Sequence, residues 1–210
     1  MDLADLRTDY AAGTDTVDET ADPIELFGTW LEQAAAAGVR EPNAMALGTI
    51  DPDGGPAVRM VLLRQIREGD LVFYTNLESP KALALRRDPR CALTFWWAEL
   101  ERQVRITGRA AVLPRDDAAA YFATRPRGHQ IGAWASPQSR PMAERRELET
   151  RIAEAEARFE DQDVPLPPNW GGFAVTAITM EFWQGRPSRL HDRILFEREG
   201  SRWLGVRLAP

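Results

Sequence analysis

Lysine is almost missing from this chain: among its 26 basic residues, only Lys81 is not arginine. In so arginine-rich a protein a further arginine says little, whereas the single lysine needs a reason. A compact ammonium set against a phosphate is one. Cysteine is equally scarce. Cys91 alone excludes an internal disulfide and any metal–thiolate cluster. Two histidines, His129 and His191, leave little from which to build a zinc site, so no metal is expected. No apolar run approaches the length of a membrane span, and a net charge of −6 argues against general nucleic-acid binding. G-x-G-x-x-G, P-loop, H-E-x-x-H and G-x-S-x-G patterns are absent, which removes the commonest nucleotide and hydrolase readings. The first residues show no basic-then-apolar leader, and a soluble, cytoplasmic protein is the expectation.

What remains is apolar content of 44% in 210 residues, enough for one well-buried domain. Residues 1–21 are polar, acidic after Tyr10, and expected to be mobile; residues 22–210 form the expected domain. Asp22-Pro23-Ile24-Glu25 reads as a helix start, with an N-cap, proline at the first position and an acid in capping-box register. From Ala44 the apolar period becomes two. Strands are expected at 44–50, 57–65, 71–75, 91–98, 103–113, 173–183, 193–197 and 203–208, the first two joined by the hairpin signal Asp51-Pro52-Asp53-Gly54-Gly55. Helices are expected from Ser79, over 116–125 and over 142–159. Seven or eight strands with hairpin links and peripheral helices suggest a small, mainly β, antiparallel barrel.

Two stretches suggest phosphate binding. Ser79-Pro80-Lys81 opens a helix, whose N-terminal N–H groups and dipole favour an anion, and Lys81 adds a full charge. Arg59 and Arg64, on the preceding strand, can add two guanidinium groups. Tyr121 and Arg125, four apart, share a face of the expected helix and are followed by Arg127 and His129, a possible second cradle. Near the end, Glu181 through Arg193 combines Trp183 with Arg186, Arg189, His191 and Arg193. A strand there would set Arg189, His191 and Arg193 on one face. Read alone, Arg-x-His-x-Arg fits a surface salt-bridge ladder with Glu181 and Asp192; an anion among three cations is the other reading. The seven tryptophans allow a flat heteroaromatic ligand, although tryptophan more often serves core and rim.

These pieces occur inside longer stretches: Glu41-Pro42-Asn43-Ala44-Met45, Arg59-Met60-Val61-Leu62-Leu63, Phe73-Tyr74-Thr75-Asn76, Arg102-Gln103-Val104-Arg105, Tyr121-Phe122 with Arg125-Pro126, Gln130-Ile131-Gly132-Ala133-Trp134, Gln138-Ser139, Trp170-Gly171-Gly172, Glu181 through Arg193, and the terminal Arg207-Leu208-Ala209-Pro210. Together they resemble the pyridoxine/pyridoxamine 5′-phosphate oxidase family, from Arg7 to the last residue. The resemblance implies a split β-barrel homodimer with FMN at the subunit interface. It assigns FMN to Arg59, Met60, Val61, Leu62, Tyr74, Thr75, Lys81, Gln103, Gln138, Ser139, Trp183 and Arg193, some from the partner chain. Arg64, Tyr121, Arg125 and His129 fall on the substrate phosphate, and Arg189 and His191 on the pyridine end, where catalysis occurs. Arg7 and Tyr10 belong to a segment closing over the substrate. The implied reaction oxidises pyridoxine or pyridoxamine 5′-phosphate to pyridoxal 5′-phosphate by hydride loss to flavin, with oxygen giving peroxide. Three positions depart from the family pattern: Arg64 and His129 stand where lysine and serine are usual, and Pro80 where arginine is common. A related oxidase of phenazine-type rings and a non-catalytic flavin or pyridoxal-phosphate carrier are the rival readings.

Overall fold

In the computed structural model, residues 9–11 and 17–210 are described. Arg7 lies outside them. Helix α1 (Pro23–Ala36) starts as its sequence dictates: the Asp22 carboxylate accepts from the N–H groups of Ile24 and Glu25, and Pro23 fills the first turn. Its inner face buries Phe27, Trp30 and Ala34 against the sheet.

Nine strands make one sheet: β1 (Ala44–Ile50), β2 (Pro56–Leu62), β3 (Gln65–Arg67), β4 (Asp70–Asn76), β5 (Arg90–Trp97), β6 (Arg102–Val112), β7 (Trp170–Gln184), β8 (Asp192–Glu199) and β9 (Arg202–Leu208). Their order is β2-β1-β5-β6-β7-β4-β3, with β8 joined to β7 and β9 to β8. All pairings are antiparallel. The long strand β7 carries the branch. Along one edge it pairs with β6; along the other, residues 170–175 pair with β4 and residues 179–184 with β8. Fifteen residues are about 50 Å of strand, too much to leave uncurled. The β6–β7 register shifts at Thr107/Gly108, and a Cβ on Gly108 would come 2.4 Å from the Thr176 carbonyl oxygen. Glycine is therefore what lets the strands close up at that bulge. Alternation inside β6 buries Val104, Ile106 and Ala110 and exposes Arg105, Thr107 and Arg109, as the sequence pattern predicts. The barrel core is aromatic-rich, with Phe27, Phe73, Phe95, Trp97, Phe173, Phe182 and Phe196 essentially inaccessible.

Helix α2 (Pro80–Arg87) packs between strands, while α3 (Arg115–Ala123), α4 (Arg127–Ala135) and α5 (Arg145–Arg158) cover a second apolar cluster around Phe122, Ile131, Phe159 and Trp170. The mainly β expectation holds, with four corrections. Among the described residues there are nine strands rather than seven or eight. The stretch 57–65 is not one strand: Leu63 N–H donates to Asn43 O and Arg64 N–H to Val72 O, so the chain turns a corner from β1 to β4 and Arg64 stands at that corner. Helix α3 stops at Ala123, because proline at 126 disfavours helical geometry at Arg125; Tyr121 and Arg125 do not share a helical face. Arg189 is on no strand. Pro187–Arg189 is a single 3₁₀ turn with Ser188 (φ 56°) and Arg189 (φ 62°) left-handed, and β8 begins only at Asp192.

Candidate active site

The lone lysine is built into a cradle at the start of α2. Its Nζ donates to Thr75 Oγ1 (3.1 Å), Ser79 Oγ (3.1 Å) and Gln138 Oε1 (2.8 Å). Ser79 is the N-cap by position, but its hydroxyl donates to Asn76 O instead of capping the helix. The start of α2 thus has no side-chain cap, and the Lys81 ammonium lies beside the Ser79 hydroxyl. Burial, followed by the nearby charge of Arg59, pulls the Lys81 ammonium down to about 8. Arg59 is itself fixed by Leu47 O, Thr49 Oγ1 and Ala57 O at 3.1, 2.7 and 3.2 Å, and burial lowers its pKa too. Two cations held among neutral oxygens form a site short of one anion. Met60, two-thirds exposed, lies further along the same strand, with Val61 and Leu62 half-buried beyond it.

A cavity of about 470 Å³ opens beside this cradle. Thr75 and Gln138 of the cradle line it, together with Arg64, Tyr121, Arg125 and His129. No carboxylate is among the described residues lining it. Its wall is a parallel stack: Tyr74 lies 3.9 Å from Tyr121 and 5.4 Å from Trp170, all within 4°. The Arg125 guanidinium sits 4.8 Å over Trp170 and 5.5 Å from the Phe122 centroid. Its Nη1 is buried with no hydrogen-bond partner. Burial lowers the Arg125 pKa and Arg64 lowers it further. An orphaned guanidinium N–H in a cavity shared with another arginine is costly unless an acceptor visits.

The third group lies elsewhere. Gln103 on β6 opposes Trp183 on β7, which opposes Arg193 on β8. Trp183 packs against His191 (4.5 Å) and Trp96 (6.0 Å), and Tyr10 meets both Trp183 and His191 edge-on at 5.5 and 5.4 Å. His191 Nδ1 accepts from the Arg186 N–H at 3.1 Å, so a neutral ring carries its proton on Nε2. Burial, then Arg189 and Arg193, hold its pKa below the ordinary value, which keeps the ring neutral at pH 7. Arg189 is exposed. Arg193 is not a free cation: it pairs with the buried Glu181 at 2.8 Å, and Arg105 pairs with the other Glu181 oxygen at 3.2 Å. Arg186 pairs with Asp192. Part of the salt-bridge ladder is therefore real, and Arg189 and His191 stand outside it.

Thr75 pairs with Gly171 and Arg193 with Trp183, so the cavity and the Trp183 group sit at opposite ends of β7, about 40 Å of strand apart. Ser139, left-handed at φ 67°, follows Gln138 near the cavity. Sequence reasoning missed the Ser79 hydroxyl as a partner of Lys81, Trp170 as the base under Arg125, and Glu181 as the anchor of Arg193. The pairing of Glu181 with Arg193 was signalled only as a general ladder.

Among the described residues no group of histidine, cysteine or carboxylates could hold a metal, and no helix is long and apolar enough to cross a membrane. Residues 31–159 match the family model described as pyridoxamine 5′-phosphate oxidase, and residues 170–210 match the pyridoxine 5′-phosphate oxidase C-terminal dimerisation region. A curated relative from Rubrobacter xylanophilus, named pyridoxine/pyridoxamine 5′-phosphate oxidase, is 53% identical over all of this chain and 97% of its own length. A relative of the same name from Synechocystis is 50% identical over 100% of this chain and 99% of its own. Among solved structures, PhzG from Burkholderia lata, determined with tetrahydrophenazine-1-carboxylic acid, superimposes with a TM-score of 0.87 at 31% identity, covering 92% of this chain and 95% of that one. An FMN-binding, pyridoxamine 5′-phosphate oxidase-related protein from Nostoc punctiforme shares the fold at TM-score 0.74 and 16% identity, over 90% and 99% of the two chains.

Proposed function

This chain belongs to the pyridoxamine 5′-phosphate oxidase family of FMN-dependent oxidoreductases, and from that premise we propose that it oxidises pyridoxine 5′-phosphate and pyridoxamine 5′-phosphate to pyridoxal 5′-phosphate in a homodimer. The observation that carries the reading is the orphaned Arg125 N–H in a carboxylate-free cavity adjoining a second, separate cation cradle. Two anion sites side by side suit two phosphorylated ligands.

The residues fit the phosphate end of FMN at Lys81, Arg59, Thr75, Ser79 and the start of α2. When bound, FMN would accept the hydride from the substrate's oxidised carbon and pass both electrons to oxygen, giving peroxide. The rest is the protein's work. Arg64, Tyr121 and Arg125 hold the substrate phosphate, with His129 at the rim, and binding energy there fixes the reacting carbon remote from it. The Tyr74–Tyr121–Trp170 stack keeps Arg125 aimed and water out from beneath it. His191, neutral, offers an Nε2–H donor, and Arg189 offers an exposed charge.

Because these last residues lie at the far end of β7, a second copy is needed to bring its Trp183, Arg189, His191 and Arg193 to the first copy's cavity. Support for that second copy comes from the match of residues 170–210 to a dimerisation region and from apolar side chains left exposed at Val58, Met60, Ile178, Leu204 and Val206. The likeness to PhzG favours a phenazine-type acid as the alternative; its carboxylate is also an anion, but two arginines and a tyrosine suit the dianion of a phosphate ester better than a single negative charge. The test is purified, flavin-loaded protein with pyridoxine 5′-phosphate and air. Aldehyde and peroxide in equal amounts are expected; no turnover with either phosphate ester, while a phenazine-type acid is oxidised, would reverse the choice.

A further inference from the structure

Glu101 sits in the turn between β5 and β6 with φ 52°, a left-handed backbone that costs a glutamate about 1 kcal/mol. It is clamped there. Its N–H donates to Ala98 O (3.1 Å), and its carbonyl accepts from Gly185 N–H (2.7 Å) and Gln184 Nε2 (3.3 Å). The carboxylate points at the N-terminal segment, where both oxygens, at 3.1 and 3.0 Å, accept from the Ala11 N–H. Tyr10, one residue earlier, is the ring resting edge-on against Trp183 and His191. Gly185 completes the seat: a Cβ there would lie 3.0 Å from Tyr10 Cγ and 2.9 Å from Glu101 Cβ, so a larger residue would push the two apart.

We propose that Glu101 is a positioning residue that latches the N-terminal segment at Ala11 and so keeps Tyr10 over the His191–Trp183 pair where substrate is received. The inference rests on the proposed oxidase reading for its effect on turnover, but the latch itself is a property of this chain. A carboxylate taking a backbone N–H is a charge-assisted bond, stronger than a neutral one. Its acceptor is preorganised, since Gln184 and Gly185, at the end of β7, hold the carbonyl of the strained turn. Tyr10 has no charge to bring to a ligand. What it contributes is a closed wall, and a wall that opens lets substrate leave.

The test uses full-length, flavin-loaded protein carrying Glu101→Asn, because asparagine tolerates the left-handed backbone better than glutamate but is one methylene shorter. Hydrogen exchange of the Ala11 amide is measured first: it should be protected in the wild type and exchange faster in the variant. KM for pyridoxine 5′-phosphate should rise about ten-fold, the value of one charge-assisted hydrogen bond, with kcat and flavin content unchanged. Gly185→Ala should reproduce the KM effect by steric means, and Tyr10→Ala combined with Glu101→Asn should be no worse than the worse single variant. Unchanged exchange at Ala11, or additive effects in the double variant, would overturn the latch. An inactive wild type with a protected Ala11 amide would instead overturn the oxidase reading and leave the latch standing.

Discussion

Replacing Arg125 by methionine separates binding from stability more sharply than any other change in this chain. In the ligand-free protein the guanidinium gains a cation–π contact over Trp170 at 4.8 Å, worth about 0.5–2 kcal/mol. Against that stands its buried, unpartnered Nη1, which costs about 1–3 kcal/mol. Methionine keeps the packing volume and abolishes both, so the two terms should nearly cancel. The flavin-loaded variant should therefore melt within about 4 °C of the wild type, the shift that about 1 kcal/mol produces in a chain of this size. With substrate the sum changes sign. The orphaned N–H becomes a charge-assisted bond to phosphate, worth about 1.5–3 kcal/mol per bond. Its loss should raise KM for pyridoxine 5′-phosphate about 10- to 150-fold. Steady-state kinetics and thermal melts on one preparation, with flavin content checked by absorbance, decide it. A variant that melts far below the wild type while keeping KM would show Arg125 to be a structural prop and not a phosphate ligand.

Lys81, with a folded pKa of about 8 below its ordinary one, favours the flavin-free fold only when neutral, on the alkaline side, and that contribution is lost as pH falls through 8. A phosphate favours the charged form, so FMN affinity, followed by flavin fluorescence quenching, should weaken about ten-fold per pH unit above 8, and Lys81→Ala should flatten the slope; a flat wild-type profile would remove Lys81 from the site. Arg189→Ala should keep its flavin and lose about 100- to 1000-fold in kcat/KM; a variant that loses flavin but keeps efficiency per bound flavin would place this arginine at the cofactor. Gly108→Ala would force a Cβ to within 2.4 Å of Thr176 O at the β6–β7 bulge and should lower stability by more than about 2 kcal/mol, read as a denaturation midpoint; an unshifted midpoint would mean that the bulge bends freely.

The strands and the start of α1 were legible because each follows from local chemistry: a period of two from Ala44, and an aspartate, a proline and an acid in fixed register at Asp22. What was not legible depends on contacts distant in sequence. Nothing near Leu63 and Arg64 announces that their N–H groups go to Asn43 and Val72, yet that switch of partners makes the corner that puts Arg64 in the cavity. Tyr121 and Arg125 were joined for a wrong reason, a shared helical face, and end up in one cavity because Trp170 of β7 lies under both. The alternation of Arg189, His191 and Arg193 was real as a pattern but not as a strand. Two left-handed residues, Ser188 and Arg189, take the chain out of the sheet, so Arg193 falls back on Glu181 while Arg189 stays exposed.

The scarcity of lysine is explained at the one place it is broken. Three oxygens, from Thr75, Ser79 and Gln138, converge on a single nitrogen at 2.8–3.1 Å. An ammonium has three N–H bonds spread about one atom and can serve all three. A guanidinium is a flat fork whose donors diverge, suited to the paired oxygens of a carboxylate, as Arg90 meets Asp88. Arginine would fit this cradle badly however freely the chain uses it elsewhere. The same burial that suits a small cation also lowers its pKa to about 8, leaving a charge that the fold alone holds loosely and a phosphate would hold firmly. At Arg125 the logic is reversed. There the side chain must stay charged over Trp170 with Nη1 buried and unpartnered, and only a group that does not readily give up its proton can do so. One cation is held ready by converging oxygens and the other by an aromatic floor, and each position takes the residue whose shape and basicity its surroundings allow.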